Sequence, residues 1–255
     1  MDVVALLVLQ LATALLTLVF GAQAVRVARR SGRNRDRALA AWEPTGFAFT
    51  LAGALLLVHA VWAAAAIRAG GGTAGMRRFM DWAPALNTGR GLLSVAYAAV
   101  LAAHLAGRRR WVLRLSARSL PVFAGAAVAG TVAARLLDRD VDGLTQLAVL
   151  STITVVLLLS ALLMAVINDG LDQLLWFSLA AYTLKETMQV SMLAIIAWWT
   201  PGSPMAVTHG FYVLNALTLV VMIALAWRRL RMVAEEQHVP ALFEHIHARR
   251  RSSPA

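Results

Sequence analysis

The apolar run from Leu171 to Trp199 carries Ser178, Tyr182, Lys185, Glu186 and Gln189 in its interior. These residues recur at steps of three or four, so on a helix they form one polar stripe. Lys185 is the sole lysine of the chain, and every other fixed positive charge is an arginine. It sits about 13 residues from either end of the run, or roughly 20 Å at ~1.5 Å per residue, near the middle of a bilayer. A charge at that depth costs at least ~2.5–3.5 kcal/mol, and an ionisable residue there marks a functional site by default.

Other polar groups fall at matching depths in other apolar runs. His59 and Trp62 lie in the second, Asn87 and Arg90 open the third, and His209, Tyr212 and Asn215 share one face of the last. The expectation is a cavity open to the outside, with Lys185 at its floor. Its ligand-binding residues would be Lys185, Glu186, Gln189, Tyr182, His59, Trp62, Arg90, His209, Tyr212 and Asn215. Lys185 and Arg90 are cationic and the two histidines can become so, which favours a small polar or anionic ligand. The alternative is that these groups only fix helix packing through ion pairs and hydrogen bonds. Lys185 and Glu186 are adjacent and point about 100° apart on a helix, so they are not expected to neutralise each other easily within it, and either could pair with a group on another helix. Tyr182, four residues before Glu186, is placed for a local hydrogen bond to it.

Further chemistries are weaker. A buried amine can carry a proton or form a Schiff base. His59 and His209 with Glu186 would make a set of two histidines and a carboxylate, but no spacing enforces it, so no metal and no cofactor are expected. His104 lies near the opposite end of its run and cannot join them. Asp138-Arg139-Asp140-Val141-Asp142-Gly143 matches half of a calcium loop, yet the twelfth position is Val149 where the bidentate glutamate belongs. Capping of the next helix by Asp142 accounts for it as well. There is no phosphate-binding glycine loop, no G-x-S-x-G turn and no helical H-E-x-x-H, so an enzyme is not expected.

These residues need elements that span a membrane. The chain has 255 residues, of which 60% are hydrophobic and only 15% charged, far from the balance of a soluble domain. It has no cysteine, which excludes disulfides and thiolate chemistry. The net charge of +11 does not point to nucleic acid, because the arginines cluster at the ends of apolar runs. The expected fold is all-α, a polytopic bundle of seven transmembrane helices at about 3–25, 46–67, 91–107, 120–137, 144–167, 172–199 and 205–227. Residues 1–229 would form the transmembrane domain, and 230–255 a cytoplasmic tail, partly disordered, in which a short helix breaks at Pro240. Ala22-Gln23-Ala24 resembles a cleavage site, but Asp2 replaces the usual positive flank, so the first helix is expected to be retained.

Orientation follows from the arginines. Those after the first, third and seventh helices far outnumber Arg68, Arg77, Arg78, Arg90, Arg135 and Arg139 on the other side. That bias sets the N-terminus outside and the C-terminus in the cytoplasm of a multi-pass protein of the cell inner (plasma) membrane. The stretch Met76–Trp82 mixes charges with Phe79, Met80 and Trp82, as a short interfacial helix or a lid over the cavity would. A loose internal repeat relates Arg90-Gly91 and its apolar run to His209-Gly210 and its own. With the fourth helix as connector, that allows an arrangement of three, one and three helices as in some transporters.

Two functions fit this organisation. One is a receptor-like sensor that binds a small polar or anionic ligand and signals through a cytoplasmic partner or a homo-oligomer. The other is a secondary transporter of a small polar or anionic solute, proton-coupled through Lys185, Glu186 or a histidine. The lipid bilayer is the one partner both require.

Overall fold

An apolar segment in lipid has no water to satisfy its backbone, so it must close its own hydrogen bonds, and helices do so within one segment. A computed structural model of the chain describes residues 3–30, 37–70, 74–106, 119–137, 143–168, 171–198 and 204–252. Among them every regular element is a helix and there is no strand. The long helices are α1 (Val3–Arg30), α2 (Trp42–Arg68), α3 (Ala74–Leu105), α4 (Ser119–Leu137), α5 (Gly143–Asn168), α6 (Gln173–Trp198) and α7 (Pro204–Ser252); a single turn, Arg37–Ala40, precedes α2.

Five of the helices are long and apolar enough to cross a membrane, over Val4–Arg30, Trp42–Arg68, Ser119–Leu136, Gln146–Asn168 and Gly210–Glu236. This is a helical membrane protein. The other two, α3 and α6, are less apolar because they carry charges: Arg77, Arg78, Asp81 and Arg90 on one, Lys185 and Glu186 on the other.

Two boundaries differ from the sequence reading. Met76–Trp82 is not a separate interfacial helix but the first turns of α3, which runs through Pro84. The proline removes one backbone hydrogen bond, while docking holds the segment to the bundle. Phe79 meets His59 and Trp62 of α2, with ring centroids 5.4 and 5.9 Å apart. Arg135 of α4 lies 5.3 Å over the Trp82 ring and donates to the Asp81 carbonyl at 3.3 Å. The second difference is the tail, where α7 continues as helix through Pro240 to Ser252 rather than breaking there.

Six helices close a ring in the order α1, α2, α3, α5, α6, α7 and back to α1, with α4 outside it against α3 and α2. The α1–α2 contact is at backbone distance: a Cβ on Gly46 would lie 2.7 Å from the Val25 nitrogen. Small residues allow this close approach, which is how helices gain dispersion energy in a solvent as apolar as themselves.

The two halves of the ring are packed differently. Toward the end where Arg29, Arg30 and Arg229 lie, Phe20, Val27, Trp42, Leu101, Leu105, Leu175, Met222 and Ala226 are buried against one another. Asn168 donates to the Leu105 carbonyl at 3.4 Å, tying the ends of α5 and α3. Arg229 of α7 pairs at 2.7 Å with Asp172, which precedes α6. Above this basic half lies an edge-on aromatic layer: Phe49 meets Phe20 at 4.8 Å, Tyr97 at 6.0 Å and Tyr182 at 5.0 Å, and Tyr97 meets Phe123 at 6.2 Å. The Tyr97 hydroxyl shares a 2.9 Å hydrogen bond with Thr45, so this layer buries no idle phenol there.

Candidate functional site

Beyond the aromatic layer the ring encloses a cavity of about 80 Å³. All six ring helices line it. Thr17 comes from α1, Phe49, Ala52 and Leu56 from α2, and Arg90, Gly91 and Ser94 from α3; α5 supplies Leu147, Ser151 and Thr154. The polar stripe of α6 supplies Tyr182, Lys185, Glu186 and Gln189, and α7 gives Phe211, Tyr212, Asn215 and Leu219. Helix α4 contributes nothing to the lining, in keeping with its place outside the ring.

The Lys185 ammonium donates to Glu186 Oε1, and both side chains are buried. This corrects the expectation that the two neighbours do not easily neutralise each other within the helix. The Cα–Cβ directions of neighbours diverge by about 100°, but the long lysine stem is flexible enough to fold back along the helix surface. In a site with little water the nearest carboxylate wins. The same ammonium lies 4.6 Å from the Tyr182 ring centroid and 5.9 Å from that of Phe211, so aromatic faces complete its surroundings. Arg90 is close enough to act electrostatically on Lys185, Tyr182 and His59. Its guanidinium joins no carboxylate among the described residues.

Hydrogen bonds fix the remaining groups. The Ser94 hydroxyl donates to the Arg90 carbonyl at 3.2 Å, within α3. Gln189 Nε2 donates to the Ser151 hydroxyl at 3.4 Å, joining α6 to α5. Gln10 of α1 donates to the Tyr212 hydroxyl at 3.0 Å, joining α1 to α7.

Of the ten residues expected at a ligand site, the structure therefore brings Lys185, Glu186, Gln189, Tyr182, Arg90, Tyr212 and Asn215 around one cavity. His59 and Trp62 do not line it; they stand on the α2–α3 contact against Phe79. His209 is on α7, with a side chain outside the described residues. The acidic loop Asp138, Asp140 and Asp142 also lies outside them. Among the described residues no cluster of histidines and carboxylates could hold a metal.

The sequence reading missed Thr17, Ser94, Ser151, Thr154 and Phe211 as lining residues. Ser94 was within reach of inference, since it follows Arg90 by one helical turn and shares its face. Ser151 and Thr154 were not, because serine and threonine in apolar helices usually satisfy themselves locally. Thr154 does so, donating to the Leu150 carbonyl at 2.9 Å. Nothing in the order of residues tells which such hydroxyl faces a void.

No family model, no curated protein and no solved structure matches this chain.

Proposed function

We propose that the protein is a receptor-like sensor of the cell inner membrane, spanning it seven times with the N-terminus outside and the C-terminus in the cytoplasm. Its ligand is a small polar or anionic molecule held in the cavity at Lys185, Glu186, Gln189, Tyr182, Arg90, Tyr212 and Asn215. One observation carries this reading. Charged and amide side chains from α3, α6 and α7 converge on a single void that is closed, toward the basic end, by packed aromatic and apolar side chains. The arginine distribution supports the orientation, placing the basic end in the cytoplasm and the cavity in the outer half.

Helices α6 and α7 are the natural conduit. They meet at the cavity, where Lys185 lies near Phe211, and again at the basic end through Arg229 and Asp172. A ligand with differential affinity for two packings of this pair would shift the extension of α7 beyond Arg229. A cytoplasmic partner or a second copy of the chain reads that shift.

A second reading, secondary transport of a small polar or anionic solute, is favoured by the ring itself. The contacts of α1, α2 and α3 repeat in cyclic order as those of α5, α6 and α7, with α4 as the extra helix. That is the arrangement parallel repeats would produce.

Proteoliposomes separate the two. For the sensor, saturable binding without solute flux is expected, lost in Lys185→Ala. Solute uptake that Lys185→Ala abolishes rejects the sensor in favour of the transporter.

A further inference from the structure

Resting on the reading of this cavity as a ligand site, we propose that its ligand is a planar oxyanion with a single negative charge, a short-chain monocarboxylate anchored on Arg90. The charge balance of the cavity leads to this class. Its lining holds Arg90, Lys185 and Glu186. Lys185 and Glu186 neutralise each other in a buried ion pair. Arg90 is left in excess, half-buried and without a carboxylate partner among the described residues. A neutral solute would leave that guanidinium uncompensated in a poorly hydrated site, and a dianion would introduce a new unpaired charge. One negative charge balances it.

Shape narrows the class further. A guanidinium presents parallel N–H donors in a fork that matches the two oxygens of a carboxylate, whereas a spherical halide engages the fork less well. The cavity, about 80 Å³ in volume, has room for a few water molecules or one small solute. That suits an acid of two or three carbons. Asn215 of α7 offers a further donor to its oxygens, whereas the Ser94 hydroxyl is spent on the Arg90 carbonyl at 3.2 Å. Ala52, Leu56 and Leu147 form an apolar wall for a methyl or ethyl end. The ammonium of Lys185, already satisfied by Glu186 and two aromatic rings, sets the local field without competing for the ligand.

The test uses the full-length protein in lipid nanodiscs, titrated calorimetrically with acetate, propionate, succinate, chloride and tetramethylammonium at constant ionic strength. Acetate and propionate are expected to bind saturably and to compete, with succinate, chloride and tetramethylammonium at least ~10-fold weaker. Arg90→Gln is expected to weaken acetate by ~10-fold or more, and Arg90→Lys by less, because it restores the charge without the fork. The proposal is overturned if no carboxylate binds, if succinate or tetramethylammonium binds as tightly as acetate, or if Arg90→Gln leaves acetate unchanged. The wild-type series decides the ligand class even where an Arg90 variant does not fold. The cavity reading fails separately: Leu56→Trp, which fills the void, should abolish whatever binding is found, and unchanged affinity would place that ligand elsewhere.

Discussion

The two halves of the ring are built from the same kind of helix and satisfy opposite demands. In the basic half, Trp42, Phe20, Leu175 and Met222 are fully buried, and the pairing of Arg229 with Asp172 and the bond of Asn168 to Leu105 tie helix ends together. In the other half, Arg90, Gln189, Tyr212 and Asn215 surround space that no side chain fills. Lipid is as apolar as leucine, so helices there gain little from hiding apolar surface; dispersion contacts and polar satisfaction hold them together. A half built around a void forgoes dispersion contacts that the packed half makes. The contrast separates a scaffold from a site.

Breaking the ion pair should give the largest effect. Glu186→Ala strands the Lys185 ammonium and is expected to cost about 3–5 kcal/mol, whereas the double variant Lys185→Met with Glu186→Leu should be close to neutral. Unfolding midpoints in detergent measure both. Equal losses for the single and double variants would mean that the pair contributes packing rather than charge balance.

The next effect belongs to the packed half. Phe20→Ala removes a fully buried ring from the aromatic layer and should destabilise by about 3 kcal/mol. Ligand affinity should stay within twofold, since Phe20 does not line the cavity. A large loss of affinity with little loss of stability would erase the distinction between the halves.

Smaller effects test their coupling. Asp172→Asn weakens the tie between α6 and α7 at the basic end and should cost about 1–2 kcal/mol. In the sensor reading it also alters protease accessibility of the α7 extension with and without ligand; identical cleavage in variant and wild type would count against that conduit. Smallest of all, Tyr212→Phe removes the bond from Gln10 at a cost of about 0.6 kcal/mol, typical of one interhelical hydrogen bond in a membrane. A loss several times larger would show that the cavity rim, and not the packed half, fixes α1 against α7.

Much of the architecture was legible before any coordinates. Apolar runs of membrane length locate α1, α2, α4, α5 and α7, because backbone satisfaction in lipid leaves helices as the outcome for such runs. The stripe from Ser178 to Gln189 was equally legible, since one helix has one geometry. The start of α3 was not. Its first turns read as interfacial by composition, and only the contacts of Phe79 and Trp82 with α2 and α4 make them part of the bundle. His59 and Trp62 were expected at the ligand for their chemistry and depth, yet Phe79 holds them on a helix contact.

Sequence by itself therefore determined where most of the helices run and which residues of each share a face. Those properties follow from the period and rise of a single helix. Tertiary structure alone decided which faces meet: that α4 stays outside the ring, that Lys185 turns to Glu186, and that Arg90 is left facing a void with Asn215 and Gln189. These depend on rotations and crossings between helices, set by many weak contacts of small residues that no periodicity along the chain records.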